Sequence, residues 1–125
     1  MLAESLGTPY EIHPSGTILF IEDVATKPYQ IDRMLMHLKL AGKLKQVRGL
    51  VFGEMLDSMP SAAEGYSLEE VIMRVVADLD VPVAYGLHSG HVLRQNITLP
   101  MGVNASLSVD TSTVKLEILE PATIA

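Results

Sequence analysis

The sequence predicts an α/β domain of three layers, β/β/α, with a parallel central sheet and an added antiparallel β layer. Two observations carry that expectation. Across residues 17–86, short apolar runs alternate with stretches of helical periodicity, in the order strand, helix, strand, helix, strand. Strands joined through helices run parallel and take right-handed crossovers. After His91 the texture changes to short apolar or alternating runs set between turn signals, which reads as antiparallel.

The elements follow in order. Thr17-Ile18-Leu19-Phe20-Ile21 is an apolar, β-rich run that stops at Glu22-Asp23, and it reads as a strand buried on both faces. Pro28 stands where a helix begins, because proline suits a first turn whose N–H has no partner anyway. Ile31, Met34, Leu35, Leu38 and Ala41 follow at helical spacing, and Gly42 is the stop. Val47 to Phe52 is the second buried strand. Residues 54–66 carry Asp57, Ser58, Pro60, Ser61 and Gly65, the composition of a long surface loop, and loops of that length are commonly functional. Ser67 with Glu70 forms a capping box for a helix whose stripe is Val71, Ile72, Val75, Val76 and Leu79. Met34 and Met73 belong to these stripes as core filling. Pro82 to Tyr85 is the third strand, ending at Gly86. Ile97-Thr98-Leu99, Ala105 to Val109 and Val114 to Leu119 are the later strands, with turns at Gly102-Val103-Asn104 and Asp110-Thr111-Ser112.

Composition narrows the function. The 125 residues suit one domain spanning 1–125. Hydrophobic residues are 48% and charged residues 19%, which excludes a disordered chain. A net charge of −6 without a basic stripe argues against nucleic-acid partners. With no cysteine there is neither a disulfide framework nor a thiolate metal site. No apolar run reaches the ~18 residues of a membrane span, so no membrane partner is expected. Met1 to Gly7 lacks the basic region of a signal peptide. No Walker A or Gly-x-Gly-x-x-Gly pattern appears, and no cofactor is expected.

In open parallel sheets, ligands and reactive groups collect at the carboxyl ends of the strands. Here Glu22-Asp23 ends the first strand, and Gly86-Leu87-His88-Ser89-Gly90-His91 follows the third. A carboxylate and an imidazole at neighbouring strand ends suit a base–orienter pair, the carboxylate fixing the tautomer and the far ring nitrogen taking a proton. The plainer alternative is a pair of solvated loop carboxylates and a turn histidine. His88-x-x-His91 with Glu22 or Asp23 raises a metal-hydrolase alternative, but a glycine-containing loop fixes no ligand geometry, and no metal site is assigned. No nucleophile elbow is present: Ser89 lies one position off the Gly-x-Ser-x-Gly spacing. Ser112-Thr113-Val114-Lys115 matches Ser-x-x-Lys in a segment that reads as strand, where the motif cannot place lysine beside serine.

Six stretches in order carry a resemblance. They are Gly7-Thr8-Pro9-Tyr10, Ile18 to Val24, Pro28 to Leu35, Gly49 to Gly53, Val81 to Gly86 with Gly90-His91, and Asn96 to Gly102. Together they resemble the C-terminal domain of the L,D-carboxypeptidases, the serine peptidase family that includes the microcin C self-immunity proteins. The resemblance implies a swivelling β/β/α fold, a cytoplasmic enzyme and a homodimer. It implies removal of the terminal D-Ala from murein tetrapeptides by a Ser–His–Glu triad. Matched onto these motifs, Glu22 is the orienting carboxylate and His91 the general base, and His88 has no catalytic role. The serine belongs to an N-terminal domain that is absent from these 125 residues, so the chain alone is expected to be inactive. A stand-alone binding or interaction module reusing the fold is the rival from another class, and a microcin-type peptide–nucleotide hydrolase domain is the rival within the family.

Overall fold

The computed structural model describes residues 1–123. Three strands, β1 (Ile18–Ile21), β2 (Gly49–Gly53) and β3 (Val83–Leu87), form a parallel sheet in that spatial order. Helix α1 (Pro28–Leu40) joins the first two, and α2 (Leu68–Val76), extended by a 3-10 turn over Ala77–Leu79, joins the next two. Because spatial order follows chain order, crossovers of one hand put both helices on one face, and there α1 and α2 pack together. A hairpin of β4 (Ala105–Val109) and β5 (Val114–Ile118) forms a separate antiparallel sheet. It lies against β1. Leu107 also covers the start of β2, its Cδ2 standing 2.9 Å from where a Cβ on Gly49 would lie. Helices, parallel sheet and hairpin are the three expected layers.

The helices begin and end where local chemistry says. Pro28 opens α1, and the Gln30 side chain reaches back to accept the Lys27 N–H at 3.0 Å. At the other end Gly42 N–H donates to Lys39 O at 2.9 Å and Lys43 N–H to Leu38 O at 3.0 Å. That is the paired closure of a Schellman motif, which satisfies carbonyls the helix leaves open. Ser67 Oγ accepts from Glu70 N–H at 3.1 Å while Glu70 Oε2 accepts from Ser67 N–H at 2.7 Å.

The core lies between the sheet and the helices. Leu50 and Phe52 of β2 are wholly buried against Ile31, Leu35 and Leu38 of α1 and Leu68, Ile72, Val75 and Val76 of α2. All five β2 residues are buried, as a central strand covered on both faces requires. Strand β1 departs from the expectation of burial on both faces: each of its four residues is only partly buried. It is the sheet's edge, and while Leu19 and Ile21 pack on the core, Ile18 and Phe20 look into a groove of about 810 Å³ beneath the hairpin. Met34 packs on the core, whereas Met73, expected to do so, is 42% exposed on the outer side of α2.

Two further local differences have physical causes. Ile97-Thr98-Leu99 is not a strand. The Ile97 N–H goes to His88 O at 2.7 Å, and Pro100, which has no N–H, follows Leu99. Strand β3 runs to Leu87, past the expected end at Gly86, and carries one extra residue against β2: Val51 faces Ala84, but Gly53 faces Leu87. Gly86, at φ +85°, absorbs the bulge. Among the described residues no helix is long and apolar enough to cross a membrane.

Candidate active site

The carboxyl ends of the three parallel strands converge on one rim. Glu22 follows β1, Glu54 follows β2, and the loop 88–97 follows β3. The loops after β1 and β2 are tied together. Ala25 N–H donates to Leu56 O at 2.8 Å. The buried Ser58 hydroxyl accepts from Thr26 N–H at 3.2 Å and donates to Leu56 O at 3.3 Å. Ala25, Met55 and Asp57 all hold positive φ, between 52° and 55°, in these two loops. Non-glycine residues in that region cost about 1–3 kcal/mol each and gather at sites where surrounding structure imposes the shape.

Glu22 and His91, which sequence reasoning paired as orienting carboxylate and base, touch. His91 Nδ1 lies 3.1 Å from Glu22 Oε1 and 3.0 Å from Oε2, and the His91 backbone N–H donates to Oε1 at 3.1 Å. A carboxylate only accepts, so Nδ1 carries the proton, and in the neutral ring Nε2 keeps its lone pair. The Glu22 side chain is 13% exposed and that of His91 61% exposed. The carboxylate is therefore sunk in the protein while the imidazole faces outward.

Two glycines make the room. A Cβ on Gly53 would stand 2.7 Å from Glu22 Cγ, and one on Gly90 would stand 2.6 Å from Glu22 Cδ. Gly90 also has φ +97°, a backbone state that costs side-chain-bearing residues. The side chain of Asn96 braces the same point: Nδ2 donates to Gly90 O at 2.8 Å, and Oδ1 accepts from Gly90 N–H at 3.3 Å. Sequence reading gave Asn96 no role; a signal was there in an amide side chain close behind a glycine-rich loop, where it can mimic backbone.

The other histidine goes elsewhere. His88 Nε2 lies 3.2 Å from Glu54 Oε1, so His88 and His91 turn to different carboxylates. His88 does not join Glu22 and His91, and no group of three potential metal ligands converges among the described residues. Ser89 is buried, and no hydroxyl hydrogen-bonds to the His91 ring among the described residues. Ser112 and Lys115 fall apart as expected, the hydroxyl donating to Asp110 Oδ1 at 3.0 Å and the ammonium pairing with Glu117 at 2.7 Å.

Glu54 was not singled out in the sequence. Its second oxygen accepts from Leu93 N–H at 3.3 Å, and its carbonyl accepts from the Tyr85 hydroxyl at 3.3 Å. Burial, with the Glu69 and Glu54 carboxylates adding, pushes the Tyr85 phenol above its ordinary value and keeps it a donor. Beside this pair opens a hollow of about 550 Å³ lined by Glu54, Met55, Leu56, Asp57, Met59 and Leu93. The groove beneath the hairpin contains none of these residues, so it is set apart from the strand-end chemistry.

Comparison with known proteins gives a consistent picture. Residues 1–107 match the family model described as LD-carboxypeptidase C-terminal domain. A probable murein peptide carboxypeptidase of Bacillus subtilis (strain 168) is 36% identical over 118 residues, covering 94% of this chain and 37% of that protein. The crystal structure of a muramoyltetrapeptide carboxypeptidase from Oxalobacter formigenes superposes with a TM-score of 0.81 at 36% identity, over 94% of this chain and 41% of that one. The microcin C7 self immunity protein MccF, in complex with aspartyl sulfamoyl adenosine, gives a TM-score of 0.58 at 26% identity, over 70% of this chain and 26% of that one. The chain spans 37% of the length of the Bacillus subtilis relative and 36% of that of a putative carboxypeptidase of Synechocystis sp..

Proposed function

This chain belongs to the LD-carboxypeptidase family through its C-terminal domain, and on that premise we propose that it supplies Glu22 and His91 to the cleavage site of a longer cytoplasmic L,D-carboxypeptidase that works as a homodimer. The substrate is a murein tetrapeptide, and the bond cut is the amide to its terminal D-Ala. The nucleophile is a serine from outside these 125 residues.

The observation that carries this reading is the contact of both Glu22 oxygens with His91 Nδ1, at 3.1 and 3.0 Å. It leaves Nε2 basic on the exposed edge of the ring, the position from which a base reaches a group brought by another part of a protein. His91 Nε2 takes the serine proton as the hydroxyl attacks the amide carbon, then gives it to the leaving D-Ala nitrogen. Glu22 holds the ring in the productive tautomer and stabilises the imidazolium formed between the two transfers.

The test is release of D-Ala from murein tetrapeptide by the longer protein. Glu22→Gln and His91→Ala are expected to lower kcat by about 10³-fold or more with little change in KM. Retention of wild-type kcat by either variant refutes the assignment of that residue. The chain alone is expected to release no D-Ala. The MccF neighbour was solved with aspartyl sulfamoyl adenosine, which favours one second reading: hydrolysis of a peptidyl nucleotide. We put it second because the muramoyltetrapeptide carboxypeptidase structure matches with the higher TM-score and coverage, and preferential cleavage of an aminoacyl sulfamoyl adenosine in the same assay would reverse the order.

A further inference from the structure

We infer that Glu54 and His88 form a second carboxylate–imidazole pair whose work is to position His91, a role that rests on the catalytic reading of His91 above. His88 lies three residues before His91 and Leu93 two residues after it. Glu54 meets both: Oε1 lies 3.2 Å from His88 Nε2, an ion pair when that ring is protonated, and Oε2 accepts the Leu93 N–H at 3.3 Å. One carboxylate thus pins the loop on either side of the base. The carboxylate is itself anchored, because Glu54 directly follows the fully buried strand β2 and its carbonyl accepts the Tyr85 hydroxyl of β3.

The need for such a clamp follows from the loop. Among the described residues, 88–97 forms no strand or helix, and the His91 side chain is 61% exposed, so packing does little to fix it. The packed strand β3 carries the start of the loop, and hydrogen bonds complete its placement. Glu22 holds His91 itself, Asn96 holds Gly90, and Ile97 N–H holds His88 O at 2.7 Å. Among the described residues, the only hydrogen bond from outside the loop to reach it beyond His91, at Leu93, comes from Glu54. A base must sit within a few tenths of an ångström of its partner, since misplacement by 1 Å costs on the order of 100-fold in rate. Glu54 and His88 are positioning residues: they touch no reacting atom and act through His91.

The experiment reads His91 directly. In this chain, ¹⁵N-edited NMR of the His91 ring reports the fraction with the proton on Nδ1, and amide exchange reports the His91 N–H bond to Glu22. Glu54→Ala removes both loop contacts and His88→Ala removes one, whereas His88→Gln keeps an N–H donor toward Glu54. The expected result is a mixed tautomer and at least tenfold faster His91 amide exchange in Glu54→Ala, a smaller change in the same direction in His88→Ala, and near wild-type behaviour in His88→Gln. His88 is exposed enough for its variants to fold even if Glu54→Ala does not. An unchanged His91 tautomer and exchange rate in His88→Ala overturns the pair, and the same result in Glu54→Ala overturns the clamp. In the longer enzyme, kcat is expected to fall about tenfold in His88→Ala with KM unchanged, and to return in His88→Gln. Full activity of His91→Ala would sink the catalytic reading while leaving the NMR result standing, so the two failures are told apart.

Discussion

Glu22 is shaped by what its neighbours lack. The side chain occupies space that a Cβ at Gly53 or Gly90 would fill, approaching those points to 2.7 and 2.6 Å. The two glycines predict different penalties. Gly53 is in strand β2 at ordinary φ, so Gly53→Ala needs the Glu22 side chain to swing away, and Ser89 O at 3.2 Å and Glu22 Cβ at 3.3 Å to give slightly. Thermal stability should fall modestly while the His91 Nδ1 contact is lost, and kcat of the longer enzyme should drop toward that of Glu22→Gln. Gly90→Ala meets the same clash and adds a positive φ, so about 1–3 kcal/mol of stability is lost as well. Calorimetry beside a D-Ala release assay separates the two, and a Gly53→Ala enzyme with wild-type kcat would show that Glu22 need not stay where it is. At this scale the sequence was half legible. The ends of two predicted parallel strands were enough to put a carboxylate and an imidazole near each other. Glu54 with His88 was not visible, because a pairing across 34 positions leaves no periodic trace, and a glutamate after a buried strand reads as a solvated loop residue.

Elements whose ends carry local chemistry were the legible ones. Ser67 and Glu70 announce α2, and Pro28 and Gly42 bracket α1, because each satisfies backbone groups within a few residues. Ile97 to Leu99 misled for the opposite reason: apolar, β-prone residues make a strand only where a neighbouring strand takes their backbone, and Ile97 gives its N–H to His88 O. The hairpin of β4 and β5 has its own local device. Asp110 accepts from Ser112 N–H and Thr113 N–H, both at 2.8 Å, and from the Ser112 hydroxyl at 3.0 Å. These bonds, the Ser112 N–H foremost, hold its carboxyl below the usual aspartate range. A carboxyl depressed by folding stabilises the turn above its unfolded pKa, and the contribution disappears as pH falls through the folded value. The turn should therefore fray below about pH 4, seen as exchange accelerating at the Asp110 and Thr113 amides, which donate to Thr113 O and Asp110 Oδ1, while β2 amides stay protected. Asp110→Ala should fray at all pH values and lose that acid dependence. A hairpin equally protected in both proteins across this range would show that strand pairing alone holds the turn.

At the scale of the whole molecule, the site belongs to no single element. Glu22 follows one edge strand, the His91 loop follows the other, and β2 lies between them with both faces covered. The Glu22–His91 contact therefore depends on the packing that keeps three strand ends in register. Phe52, wholly buried at the centre of that packing, tests the dependence. Phe52→Ala should cost about 3–5 kcal/mol, a large part of the 5–15 kcal/mol typical of a domain. If the domain unfolds as one cooperative unit, the Nδ1–H signal of His91 and the helical circular dichroism should vanish at the same temperature in the wild-type chain. Both should move down together in Phe52→Ala. Loss of the ring signal well below the helical transition, in either protein, would mean that the loop opens locally and that the pair takes its lasting form only against the rest of the longer enzyme. The close approach of Glu22 to both glycines argues for the first outcome. A glutamate enclosed between Gly53 of buried β2 and Gly90 of the following loop, with both oxygens committed to His91, has one wall of its site set by the strand that centres the core.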